Sequence, residues 1–156
     1  DGARSVELIA RSGGVVALAP SQTGLVVTFR TGGHIGGGAV TRLPKDGGLL
    51  LTLAAERVPI AASVLAADGF VYFATRAEEP AAGASAPGSS PGGAPGAGVV
   101  RRVGERGGIV ETLGEVTDAC VISVTGDAVF VGSCRAGRSS ITRFAKPAAP
   151  VSAAPR

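Results

Sequence analysis

The sequence predicts an all-β chain, and three observations carry that expectation. First, a unit recurs three times along the 156 residues. It opens with Val6-Glu7-Leu8-Ile9-Ala10, Leu50-Leu51-Thr52-Leu53-Ala54 and Val110-Glu111-Thr112-Leu113-Gly114. It continues through Leu25-Val26-Val27-Thr28-Phe29, Phe70-Val71-Tyr72-Phe73-Ala74 and Ala128-Val129-Phe130-Val131-Gly132. It closes on Val40-Thr41-Arg42-Leu43, Val100-Arg101-Arg102-Val103 and Ile141-Thr142-Arg143-Phe144. Second, turn pairs fall between these runs. Thr23-Gly24, Asp68-Gly69 and Gly126-Asp127 sit inside the units, and Asp46-Gly47-Gly48 and Arg106-Gly107-Gly108 sit between them. Such pairs supply the positive-φ positions of tight hairpins. Third, Val, Ile, Phe, Tyr and Thr concentrate in the runs, as strands prefer. A repeat of this length, built from short apolar runs and Gly-rich turns, is the signature of a β-propeller blade. The predicted class is an all-β, partial β-propeller of three four-stranded antiparallel blades.

The elements follow in order. The first unit, 6–44, places strands at 6–10, 15–20, 25–30 and 39–44. The second, 49–104, places them at 49–54, 60–66, 70–75 and 98–104. The third, 109–145, places them at 109–114, 119–124, 128–133 and 140–145. Matching Ser12-Gly13-Gly14 to the later Gly-Gly turns instead would cost the first unit a strand, so this register is preferred. Residues 77–97 are nearly all Ala, Gly, Pro and Ser, which bury too little apolar area to offset ordering. They read as a disordered loop inserted in the second unit, and 146–156 as a flexible tail.

Composition narrows the function. The chain is long enough for one domain with a core, and no apolar run approaches the ~18 residues of a membrane helix. The net charge is +3, and all of the fifteen cations except Lys45 and Lys146 are Arg. No long cationic run occurs, and aromatic residues for stacking bases are few, so nucleic acid is not expected as a partner. The chain opens at Asp1 with no charged-then-apolar leader, and it reads as a mature segment or a piece of a longer protein.

Three units do not close a ring, because propellers have roughly four to eight blades. Closure then needs either more of the same chain or a second copy. Each unit starts with the strand that is outermost in the preceding blade. The third blade therefore lacks its outer strand, and Val6–Ala10 is free to supply one.

Antiparallel connectivity sorts the tight turns to one face and the longer connections, 11–14, 31–38, 55–59, 77–97, 115–118 and 134–139, to the other. That second face is the expected binding face. It carries His34, Arg57, Arg76, Arg135 and Arg138, with Glu56, Glu78 and Asp118 among them. Clustered Arg can grip a carboxylate by forked hydrogen bonds, and the alternative is a set of solvated loop charges. His34 is the only histidine; alone it makes no metal site, and a solvated loop histidine is the simpler reading. The glycines around it precede no Lys-Ser/Thr phosphate motif. Arg42, Arg102 and Arg143 recur at one strand position, and are expected on an exposed, aggregation-resisting face rather than as a ladder for an anion.

Cys120 and Cys134 flank the Gly126-Asp127 turn. A hairpin pairing Thr125 with Val129 sets them opposite each other, within disulfide reach. A register one residue away sends them to opposite faces, leaving two thiols. Both readings stay open, and the bridge would point to a periplasmic, envelope or extracellular location.

Gly47-Gly48, Leu53-Ala54, Pro59, Ala67-Asp68-Gly69 and Val71-Tyr72-Phe73-Ala74-Thr75 resemble the repeat of YWTD-type and related bacterial six-bladed propellers. Val40-Thr41-Arg42, Val100-Arg101-Arg102 and Ile141-Thr142-Arg143 fit the Ile-x-Arg strand of that repeat. The motif's Trp is absent, and Arg76 and Cys134 stand where its final Asp would be. The resemblance implies four-stranded blades and a protein that binds or scaffolds. Propeller hydrolases of lactonase type bind a metal through Glu, Asn and Asp, and this sequence has no Asn. The expected function is a non-catalytic scaffold, part of a larger bacterial envelope or secreted protein, binding a protein or a small anionic ligand. Neither metal nor cofactor is expected. The alternative is a lyase or hydrolase with its site on the long-connection face.

Overall fold

Short apolar runs separated by turn residues become strands throughout, and the described residues contain no helix. The computed structural model describes residues 13–31, 37–76, 97–135 and 137–147. The strands are β1 (Gly13–Ser21), β2 (Gly24–Thr31), β3 (Gly37–Pro44), β4 (Leu51–Glu56), β5 (Ile60–Leu65) and β6 (Phe70–Thr75). After residues 77–96 come β7 (Ala97–Gly104), β8 (Glu111–Thr117), β9 (Ala119–Val124), β10 (Ala128–Arg135) and β11 (Arg138–Ala145). The strand expected at 6–10, most of the inserted loop and most of the tail lie outside the described residues.

Three antiparallel sheets result, in the orders β1-β2-β3-β4, β5-β6-β7-β8 and β9-β10-β11. The opening segments of the second and third sequence units, β4 and β8, pair backwards onto β3 and β7. Each of the first two sheets therefore takes its fourth strand from the following unit. The third sheet ends at β11, with no further partner among the described residues.

The sheets pack face to face. Val26, Val40, Leu53 and Ala54 of the first sheet meet Ile60, Val71, Phe73 and Val103 of the middle sheet. On the other side of the middle sheet, Ala62, Tyr72, Ala74, Val100 and Val116 meet Ala119, Ile122, Val129 and Val131 of the third. Successive side chains of a strand point to opposite faces, so a strand covered on both must be apolar at every position. β6 is such a strand, which explains its unbroken Phe-Val-Tyr-Phe-Ala run.

Cross-sheet contacts fix which ends lie together. Arg42 reaches the Glu105 carbonyl, and Lys146 pairs with Asp68, all near the tight turns. At the opposite, long-connection end, Gly38 abuts Ile60, and the Ser133 hydroxyl donates to the Thr117 carbonyl at 2.6 Å.

The turns use the expected chemistry in part. Gly47, Gly69 and Gly107 take φ of 73°, 78° and 92°. Gly126 does not take a positive φ; its turn is closed instead by Thr125 N–H donating to the Ala128 carbonyl at 2.9 Å. Two connections expected to be long are short. Only Asp118, at φ 49°, separates β8 from β9, and residues 136–137 separate β10 from β11. The polar Arg138-Ser139-Ser140 stretch carries no apolar signal, yet it pairs residue for residue with Ser133-Cys134-Arg135.

Bulges recur at matching places. Val16, Ala61 and Cys120 are the extra residues of β1, β5 and β9 near the long-connection end. Leu53 and Leu113 are the extra residues where β4 and β8 join their neighbours. Strands β1, β5 and β9 are also the sheet edges that lie side by side from one sheet to the next.

Phe73 is fully buried between the first and middle sheets. Phe73→Ala is expected to cost about 3–5 kcal/mol, read as a lower urea midpoint with an unchanged slope.

Candidate functional site

At the long-connection end, between the first and middle sheets, lies a cavity of about 280 Å3 lined by Gly14, Val15, Val16, Arg30 and Ala61. The fold makes this opening in two steps. The bulges at Val16 and Ala61 re-aim the ends of β1 and β5. Arg30 is paired with Gly14 on one side and Gly38 on the other, so no Cβ flanks it on either neighbouring strand. Its alternation phase matches that of Val26 and Thr28, which face the middle sheet; the Thr28 hydroxyl accepts from Ser63 Oγ at 2.7 Å. Arg30 is half-buried, and its Nε, like those of Arg42 and Arg101, is buried with no hydrogen-bond partner among the described residues. A planar fork of donors on the wall of a cavity otherwise lined by glycine and aliphatic residues suits a carboxylate or another planar oxyanion.

The same end carries one ion pair across the first and middle sheets. Arg101 Nη1 lies 2.7 Å from both carboxylate oxygens of Glu56, whose side chain is nearly buried. Glu56 is thereby committed to Arg101 and leaves Arg30 uncompensated by it.

The residues expected from sequence divide into groups. His34 lies outside the described residues. Arg57 and Arg76 are exposed, and their connections adjoin through the Arg76 N–H, which donates to the Pro59 carbonyl at 2.8 Å. Arg135 and Arg138 are not loop residues: they face each other as the last register pair of β10 and β11. The structure therefore brings the connections that carry Arg57 and Arg76 together, and makes Arg135 and Arg138 backbone register partners in the third sheet. Arg30 was missed because it ends an apolar run and reads as a strand terminus. The glycines at 14 and 38, which become its neighbours, are visible in the sequence only once the register is known. Among the described residues no group of three or more His, Cys, Asp or Glu could hold a metal.

Cys120 and Cys134 are joined by a disulfide, with their Cα atoms 5.7 Å apart. The register that would set them directly opposite does not occur, since Val129 pairs with Val124. The bulge at Cys120 supplies the correction: it shifts the pairing so that Ala119 faces Ser133 and the Cys134 N–H donates to the Asp118 carbonyl. Cys120 is then the residue left out of the ladder, free to turn its sulfur toward Cys134.

A second polar cluster, at the tight-turn end, locks the middle sheet to the third. Arg102 is 2 % exposed, contrary to the exposed strand face expected for it. Its guanidinium donates to Glu111 at 2.7 and 2.9 Å and to the Pro147 carbonyl, and it stacks over the Phe70 ring at 4.4 Å. The reason is its face: Arg102 is the register partner of Tyr72, on the side covered by the third sheet. Arg143, by contrast, is exposed and pairs with Asp127. Asp68 accepts from the Tyr72 hydroxyl at 2.9 Å and pairs with Lys146 at 2.6 Å. Burial alone raises the Asp68 carboxyl, but hydrogen bonds from Lys146, Tyr72 and the Phe70 amide outweigh it and hold it below the ordinary value. The hydrogen bond to Asp68 raises the Lys146 ammonium. Two cations and two carboxylates balance here, and the cluster reads as a clamp, not a site.

Comparison with protein-family models, with curated proteins and with solved structures returns no match.

Two outcomes follow from these contacts. Because Asp68 binds a proton more readily unfolded than folded, its contribution is present above about pH 4 and is lost as pH falls through the lower folded value. Urea unfolding from pH 7 down to pH 3 is expected to show a shallower acid loss for Asp68→Asn than for the parent chain. Reducing the Cys120–Cys134 bridge, which spans a sequence separation of 14, is expected to lower stability by about 2–4 kcal/mol. That is measured by urea unfolding with and without reductant.

Proposed function

We propose that the chain is a propeller segment of the YWTD-like kind that binds rather than catalyses, and that its ligand carries a carboxylate or similar oxyanion held by Arg30. Three antiparallel sheets stacked face to face in chain order support the propeller reading, as do the bulges repeated at Val16, Ala61 and Cys120. The strands next to the cavity present aliphatic side chains such as Val15 and Leu18, which suits binding better than proton transfer. The observation that carries the reading is the cavity that Arg30 lines together with Gly14, Val15, Val16 and Ala61. Arg57 and Arg76, exposed at the same end, would add positive potential for an anionic small molecule or an acidic segment of a protein. The disulfide favours a periplasmic, envelope or secreted setting.

Calorimetric titration with succinate, citrate and inorganic phosphate tests this. Saturable binding of at least one is expected, weakened about tenfold or more in Arg30→Gln and little changed in Arg143→Gln. Absence of saturable binding, or equal affinity in Arg30→Gln, would overturn the reading.

A further inference from the structure

The third sheet differs from the other two in one respect: no described strand pairs with its outer edge. In the first sheet, Arg42 pairs with Leu51, Thr41 with Thr52, and Val40 with Ala54 beyond a bulge at Leu53. The middle sheet repeats this register: Arg102 pairs with Glu111, Arg101 with Thr112, and Val100 with Gly114 beyond a bulge at Leu113. In β11 the matching residues are Arg143, Thr142 and Ile141. Val40 and Val100 are fully buried against the face of the next sheet, whereas Ile141, with no described sheet on its face, is 77 % exposed. The edge thus offers a row of backbone donors and acceptors that are paired at the same place in the neighbouring sheets, with Arg143, which pairs with Asp127, at the position of Arg102.

The sequence holds a segment that fits. Val6-Glu7-Leu8-Ile9-Ala10 aligns with the openings of β4 and β8. In the register of the middle sheet, Glu7 falls against Arg143 as Glu111 falls against Arg102, with charges opposed in the same sense. Leu8 falls against Thr142. Ile9 takes the bulge place of Leu53 and Leu113, and Ala10 takes the small-residue place of Ala54 and Gly114 against Ile141.

The chain's own segment does not reach. Only residues 11 and 12 separate Ala10 from β1, a span of about 10 Å at most. β1 lies along β5 of the middle sheet, and β5 along β9 of the third. The middle sheet therefore stands between β1 and the third sheet, and β11 is the far strand of that third sheet.

We propose that the outer edge of β11 is a docking site for residues Val6–Ala10 of a second copy of this chain, added as an antiparallel strand with a Glu7–Arg143 ion pair. Applied reciprocally, the contact closes a symmetric assembly in which every sheet has four strands.

Light scattering after size exclusion tests this on the intact chain, with far-UV circular dichroism as the folding control. The intact chain is expected to run as a closed oligomer, a dimer in the simplest case. Deleting residues 1–10 is expected to give a folded monomer. Glu7→Arg and Arg143→Glu are each expected to weaken association about tenfold, through two copies of the like-charge pair per dimer. The double reversal should restore it. A monodisperse monomer for the intact chain would overturn the proposal. So would a mass unaffected by the deletion, or a double reversal no better than either single change.

Discussion

The middle sheet is covered on both faces, and everything else in the molecule is arranged around that. Val71, Phe73 and Val103 face one neighbour, while Tyr72, Ala74 and Val100 face the other. Burying both faces of one sheet removes apolar area from water on each side of it. It also demands an apolar residue at nearly every position of β6, with no polar alternation to mark a surface. Two of the polar groups that enter these interfaces, on the side of the third sheet, are fully provided for. Arg102 has Glu111, Phe70 and Pro147, and Tyr72 has Asp68. Neither is left desolvated without a partner, which is the condition for tolerating it there.

Strand sharing is the second layer of this organisation. Because β4 and β8 begin one sequence unit but complete the preceding sheet, the sheets are tied by chain as well as by packing. The chain crosses from sheet to sheet at the long-connection end, at residues 57–59 and at Asp118. Bulges at Val16, Ala61 and Cys120 crowd that end. The bulges do different things: between β1 and β5 they open a cavity beside Arg30, and in β9 the same irregularity turns Cys120 into the disulfide. One backbone device thus yields a candidate binding site on one side and a covalent staple on the other.

The strands were legible in the sequence because each is a short apolar run ended by a turn residue whose backbone the turn requires. Gly47, Gly69 and Gly107 are of that kind. The ends were less legible where polar residues pair, as in Arg138-Ser139-Ser140, since strand pairing is a backbone property and leaves no mark on hydropathy. The candidate site was harder still. Arg57 and Arg76 were visible as loop charges, but Arg30 acquires its setting from Gly14 and Gly38 on other strands, a matter of register. Register also decided the cysteines: counting from the turn gave the wrong pairing, and a bulge with no sequence signature of its own restored the contact. The burial of Arg102 depended on which face the third sheet would cover, and that lies beyond strand periodicity.

The central claim is that the two-sided burial of the middle sheet holds the molecule together. Residue-resolved amide hydrogen exchange under native conditions tests it most directly, because the slowest amides open only with the whole molecule. The slowest set should be the paired amides of β6 and β7, exchanging at one common free energy equal to that of global unfolding, with β1 and β11 opening earlier. Slowest exchange in an outer sheet, or β6 amides exchanging ahead of β1, would contradict it.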